Sequence, residues 1–333
     1  MLNSDYELSI MDVANLLGVT RQAVSQFFKP KAGALARGNK KNASVPPDVI
    51  RSYLEITKGY TYKKQAIAFQ IVKGGVGKSS LSKNFAIRAS MYGYKVLLID
   101  FDHQLNLTVS MNAFHEDNLV WLDYLRKKTT NIFDLVKPIN SHLSIIPSSP
   151  KNCLMDKEII LGAANLSNLI ADPINQLFSE FDLIVVDCPP ALTHLTHAIY
   201  LSVDRIIAPV KPDVYSKLGL EQVFNQWEEI SSSYKKNPEI NILVNMYDPR
   251  IKASTSYLQQ FYAQYANYMI PNLIRQSSEF VSSMEDQEHL WTKRATQAGE
   301  DLDVIVKHIL NLYEVSSTNS KKKSDLKEEE AEL

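Results

Sequence analysis

The sequence predicts a doubly wound, mostly parallel α/β sheet preceded by a small all-α unit. Three observations carry this expectation. Six short apolar runs, several rich in β-branched residues, are separated by longer amphipathic segments; a glycine-rich loop joins the first run to a helical segment; and the texture of the chain changes near Ala66. Continuously apolar runs suit strands covered on both faces, as in parallel sheets, and their alternation with helices gives a layered α/β domain. The chain has 333 residues, is 45% apolar and carries a formal net charge of -1. That excludes wholesale disorder, and it confines any nucleic-acid role to local basic patches.

Four segments follow in order: residues 1–58 as the helical unit, 59–65 as a linker, 66–315 as the α/β domain and 316–333 as a charged, disordered tail. In the first, residues 8–29 (LSIMDVANLLGVTRQAVSQFFK) have helix-turn-helix spacing. Ala14 is the small residue of the first helix, Gly18 makes the turn, and Val24 lies six residues further on. Val13, Leu16, Leu17 and Val19 supply the packing face, and Thr20 is a good N-cap for the second helix. That helix would present Arg21, Gln22, Ser25, Gln26 and Lys29 to base edges or phosphates. From Val13 to Pro47 there is no acidic residue, whereas Arg21, Lys29, Lys31, Arg37, Lys40 and Lys41 all fall there. This is the electrostatic footprint of a DNA reader with a basic loop. A short helix (PDVIRSYLEI) follows, with Pro47 in its first turn.

The expected strands are residues 67–72, 95–100, 143–147, 182–187, 205–210 and 240–246, and the segment from about Ser277 to Val315 reads as helical. Two cysteines, Cys153 and Cys188, are too few for a disulfide framework, so both are expected as small buried hydrophobes in a reducing cytosol. The N-terminus shows no basic-then-apolar signal pattern, and no apolar run approaches the roughly 20 residues of a membrane span.

Residues 72–80, VKGGVGKSS, carry the first chemistry. Gly74, Gly75 and Gly77, with Val76 between them, allow backbone N–H groups to close around phosphate oxygens at a helix N-terminus. Lys78 would reach the β- and γ-phosphates, Ser79 would hold Mg²⁺ and Ser80 would contact the α-phosphate. A second lysine, Lys73, stands at the loop entrance. The whole string resembles the deviant phosphate loop, KGGxGK[ST][ST], of the ParA/MinD class of ATPases. The resemblance covers roughly residues 66–315. It implies a deviant P-loop NTPase fold, ATP and Mg²⁺ as cofactors, and a sandwich homodimer in which Lys73 reaches the partner's nucleotide.

Three further stretches agree. Residues 96–108 (VLLIDFDHQLNLT) resemble the ParA pattern VLLIDxDPQxNLT, with His103 where Pro is usual and Leu105 where Gly is usual. The resemblance gives Asp102 the orienting of the attacking water and Asp100 the support of Mg²⁺ or of loop geometry. In residues 181–192 (FDLIVVDCPPAL) an apolar strand ends in Asp187, the Walker B layout, which would hold the Mg²⁺ shell. Residues 242–250 (ILVNMYDPR) put Asn245 and Met246 at a strand end where a base could bind. The string Asn245-Met246-Tyr247-Asp248 mimics the guanine-reading N-K-x-D without its lysine, which favours adenine, and Pro271 would be the second wall. The same class includes the nitrogenase iron protein, but Cys188 lacks the glycine-rich surroundings of a cluster ligand.

The functional expectation is a ParA-type partition ATPase, cytoplasmic and nucleoid-associated, without membrane contact. Its partners would be non-specific DNA, an operator read by the N-terminal unit, and a ParB-type centromere-binding protein. Candidate non-specific contacts are Arg250, Lys252, Arg275, Lys293 and Arg294. The alternative is an ATP-gated transcription regulator without a segregation role. A MinD-like membrane anchor is not expected, because the tail KKKSDLKEEEAEL has no apolar stripe.

Overall fold

The computed structural model describes residues 6–28, 44–161, 166–234, 236–292 and 296–313. The basic loop with Lys29, Lys31, Arg37, Lys40 and Lys41, the candidate contacts Lys293 and Arg294, and the tail 316–333 lie outside the described residues.

Strands β1 (Leu8–Ser9) and β2 (Ser44–Val45) form a two-residue antiparallel ribbon beside α1 (Ile10–Leu17), α2 (Arg21–Phe28) and α3 (Pro47–Lys58). The main sheet comprises β3 (Gln65–Phe69), β4 (Val96–Asp100), β5 (Lys137–Pro138), β6 (Leu143–Ile146), β7 (Leu183–Asp187), β8 (Arg205–Val210) and β9 (Glu239–Val244). Its order is β5-β6-β4-β7-β3-β8-β9, and only the two-residue edge strand β5 runs antiparallel. All six expected strands are present; β5 and the β1–β2 ribbon are too short to leave a periodic signal.

The two faces of the sheet bury alternate residues. Ile67, Phe69, Leu98 and Val185 face α4 (Lys78–Met91) and the C-terminal helices, while Ala66, Ala68, Ile99 and Val186 belong to the opposite core. Each Ile, Leu, Val or Phe among them contributes about 1.5–3 kcal/mol on burial, the alanines less. Helix α4 is buried on every side apart from Ser79, so it carries no amphipathic stripe and encloses Lys83, Asn84 and Arg88 as well as Leu81 and Phe85. The C-terminal segment expected as one helix holds two, α5 (Glu279–Glu285) and α6 (Gln297–Ile309), with residues 286–292 following the first outside helix. In that stretch Trp291 stacks its ring on the buried Arg88 guanidinium, 4.8 Å from the centroid, a contact a continuous helix would not offer.

In the N-terminal unit α1 ends at Gly18, whose φ of 63° is the left-handed conformation that turns the chain into α2. Val13, Ala14, Leu16, Leu17 and Val24 are buried, and Thr20 Oγ1 accepts the Ala23 N–H at 3.2 Å. The unit is docked on the sheet domain. Arg51 donates to Gly93 O at 2.9 Å and pairs with Asp182 at 2.5 Å, and the Tyr6 and His289 rings meet edge to face at 4.7 Å. Residues 59–64 are pinned as well: Tyr60 donates to Leu310 O at 2.6 Å and Tyr62 to Tyr92 O at 2.8 Å. Cys188 is buried, but Cys153 is exposed, because it lies in the surface 3-10 turn Pro150–Leu154 rather than on a strand.

Candidate nucleotide-binding site

The site forms at the carboxyl ends of β4, β7 and β3, three adjacent strands. Their parallel register sets Asp100 beside Asp187 and Asp187 beside Phe69, so the two carboxylates and the loop after β3 meet at one edge. This is where open α/β sheets bind ligands. In the loop, Gly75 has φ 72° and Gly77 φ 87°. A Cβ on Gly77 would stand 2.7 Å from Asn245 Nδ2, so both space and backbone conformation require glycine there. Helix α4 opens immediately after it at Lys78, with Ser79 and Ser80 in its first turn. The cavity in front of the loop measures about 760 Å³ and is lined by Gly74, Gly75, Gly77, Lys78, Ser79, Ser80, Asp102 and Met246. That volume suits a mononucleotide.

Three buried polar side chains, Asp187, Asn245 and Lys78, meet beside the loop. Both carboxylate oxygens of Asp187 are buried without a hydrogen-bond partner. Burial and the Asp100 carboxylate push its pKa well up, against the pull of the Lys78 ammonium and of the Ser79 hydroxyl, which lies nearby without hydrogen-bonding geometry. Asn245 donates Nδ2 to Val76 O at 2.8 Å and leaves Oδ1 buried and unpaired. Lys78, with 7% of its surface exposed, donates to Lys73 O at 3.0 Å; burial lowers its pKa, while Asp187 and Asp102 raise it. Unpaired buried polar groups are costly unless something completes them.

Asp100 plays a different part. It accepts from Thr108 N at 2.9 Å, Thr108 Oγ1 at 2.6 Å and Asp102 N at 3.0 Å. It is fully engaged in shaping the loop, and burial lifts its pKa to about 7 despite those bonds. Asp102 accepts the Gln104 N–H at 3.0 Å and lines the cavity. A magnesium ion fits this donor set. Asp187 and Ser79 are hard oxygen donors at the foot of the loop, and Asp187 has both oxygens to spare. Bound there, it would supply positive charge to the β- and γ-phosphate oxygens.

Lys73 does not point along the loop. Its Nζ lies 2.7 Å from both carboxylate oxygens of Asp213 and 3.2 Å from Ser216 Oγ. Its hydrogen bond and charge hold the Asp213 carboxyl below its usual range, outweighing partial burial. Asp213 escaped the sequence reading; the signal was an acidic residue just beyond β8, at the same sheet edge as the loop. Pro271 is exposed and does not line the cavity; the second wall is Phe280, Val281 and Met284 of α5, with Arg275 and Pro190. Arg275 is clamped by Asp301, its Nη2 2.6 Å from Oδ1, and Arg250 by Asp248 at 2.7 Å. The carboxylate that an N-K-x-D motif would offer to guanine is therefore occupied by Arg250. Lys252 is exposed at the start of the helix Lys252–Tyr265. On α2, Arg21, Gln22 and Gln26 are exposed and Ser25 is half-buried.

Fold and site define a P-loop ATPase of the ParA/MinD type. The AAA domain family matches residues 64–242, and the chain belongs to it. It is 24% identical over 307 residues to the cell division protein PomZ of Myxococcus xanthus, covering 91% of this chain and 92% of that one. It is 28% identical over 272 residues to the virulence plasmid ParA family protein pGP5-D of Chlamydia muridarum, covering 79% and 97% of the two chains. The fold is similar to that of a single-residue variant of Cyanothece McdA in complex with ATP, with a TM-score of 0.68 and 17% identity over 76% of this chain and 98% of that one. A putative plasmid partition protein from Borrelia burgdorferi bound to AMPPNP has a TM-score of 0.58 and 19% identity over 73% and 98%. No helix among the described residues is long and apolar enough to cross a membrane.

Proposed function

We propose that the protein is a Mg²⁺-dependent ATPase that partitions DNA. One observation carries the reading: next to a glycine loop, Asp187 and Asn245 keep buried oxygens unpaired in positions that suit a metal shell and an adenine amino group. Lys78 holds the phosphates, Ser79 and Asp187 hold the ion, and Asp102 orients the attacking water. Phosphoryl transfer asks little beyond such positioning and charge stabilisation. Lys73, parked on Asp213, is available to a second copy's nucleotide when that pair opens. ATP thereby closes a homodimer that binds non-specific DNA on the nucleoid, and a ParB-type partner stimulates hydrolysis and release. Plasmid and chromosome partition proteins among the relatives support this reading.

The exposure of Arg21, Gln22 and Gln26 on α2, with Ser25 half-buried beside them, favours a second role, operator reading by that helix. One experiment separates the two. The full chain and an Arg21→Ala/Gln22→Ala/Gln26→Ala variant are tested for binding to random-sequence duplex DNA at low salt, with ATP, ADP or no nucleotide. ATP-dependent binding that survives in the variant supports partition. Binding abolished in the variant under every condition leaves the regulator reading and removes the partition one.

A further inference from the structure

At the opposite end of β3 from the nucleotide cleft lies a second cavity, of about 540 Å³. Five strand residues at about 3.3 Å each separate the two by roughly 17 Å, so the second is no extension of the first. Lys58, Lys63 and Arg205 line it together with Tyr60, Gln65 and Tyr94, and no carboxylate among the described residues does. Lys58 closes α3, and its Nζ is buried without a hydrogen-bond partner among the described residues. Burial holds its pKa below the usual lysine value. Arg205, at the first position of β8, is held by Asn241 Oδ1 at 2.6 Å and Glu239 Oε2 at 2.7 Å. The Tyr60 and Tyr94 hydroxyls bond to each other, and Tyr60 is tied to Leu310 O, which fixes the aromatic wall.

We propose that this cavity binds a phosphate-bearing anion between Lys58, Lys63 and Arg205. Three cations, one of them already paired with Glu239, leave about two uncompensated positive charges. A phosphate dianion balances them, whereas a carboxylate supplies only one negative charge. A buried ammonium without an acceptor is unfavourable, and an anionic oxygen at that point removes the deficit. Fixed tyrosine walls and an arginine held in place mean that little ordering is needed on binding. The same chemistry is offered by a free phosphorylated small molecule and by a nucleic-acid backbone.

The test uses the full chain saturated with Mg-ADP, so that the nucleotide cleft is filled. Inorganic phosphate and pyrophosphate are then titrated calorimetrically. The expected result is one further equivalent bound to the wild type. Lys58→Gln and, separately, the exposed Lys63→Gln should each weaken it about tenfold. ADP affinity and melting temperature should stay unchanged. Displacement of phosphate by random-sequence duplex DNA would identify the backbone as the source, and its persistence would identify a small phosphorylated ligand. Absence of the extra equivalent at millimolar phosphate, or equal binding by the wild type and both variants, overturns the proposal.

Discussion

The two ends of α4 contain the same kinds of residue in opposite states of completion. At its N-terminus Lys78, Asp187 and Asn245 gather around the glycine loop, and the last two keep buried oxygens unpaired. Three turns further on, Arg88 is just as deeply buried, at 1% exposure, yet every demand is met. It pairs with Asp303 at 2.6 Å and Asp12 at 2.8 Å and lies against the rings of Tyr92 and Trp291. Asp303 is bound in turn by Lys307 at 2.8 Å. The contrast separates two uses of buried charge. A closed network holds elements together, here α4, α6 and the N-terminal helix pair. An open one stores unsatisfied bonding capacity for a ligand.

The comparison can be broken most forcefully at the closed end. Arg88→Met leaves the Asp303 and Asp12 carboxylates without their shared partner, and breaking such a buried pair costs about 3–5 kcal/mol. Chemical denaturation should report a loss of that size. A loss under about 1 kcal/mol would show that the network is ornamental. At the open end the expectation reverses. Lys78→Ala should lower nucleotide affinity by about two to three orders of magnitude, through loss of charge-assisted phosphate contacts, while shifting the melting temperature little. A large fall in thermal stability with nucleotide binding intact would erase the distinction.

His289 tests the closed end through pH. Burial, together with the Lys83 and Arg88 charges, lowers its pKa to about 4. The ring accepts the Trp291 N–H at Nδ1, 3.2 Å away, and packs on Tyr6. Above about pH 6.5 it is neutral whether the chain is folded or not. As pH falls from there, the unfolded chain takes up the proton first, so stability declines until the folded form protonates near pH 4. The window corresponds to at most about 3 kcal/mol. Stability measured between about pH 7 and 4 should fall less steeply in His289→Gln; identical slopes would assign the acid sensitivity elsewhere. The smallest effect belongs to Leu105, which caps the helix after β4 with φ 64°. Leu105→Gly removes a left-handed strain of about 1–2 kcal/mol at some cost in chain entropy, for a net stabilisation of about 0.5–1 kcal/mol. A loss of stability would mean that the leucine side chain, which lines the cleft, outweighs its backbone.

Much of the cleft was legible because its signals are local. Strand β3, the glycine loop and α4 are contiguous, and apolar strands ending in Asp100 and Asp187 announce carboxylates at one sheet edge. Asp213 and the α5 wall were not legible. Asp213 meets Lys73 only because β8 lies next to β3. Phe280, Val281 and Met284 reach the cleft because the last segment breaks after Glu285, where residues 286–292 cross towards Tyr6. Arg88 carries no motif signal in the sequence; its partners, 76 and 215 residues away in sequence, turn it into a buried junction.

By itself the sequence determined the parallel sheet, the phosphate loop and the turn at Gly18, since each rests on periodicity or on a backbone conformation confined to a few residues. Tertiary structure decided that Lys73 rests on Asp213, what closes the cleft, and how firmly the helix pair is held. Those outcomes depend on which residues, distant in the chain, packing brings into contact, and neither periodicity nor local backbone conformation records that.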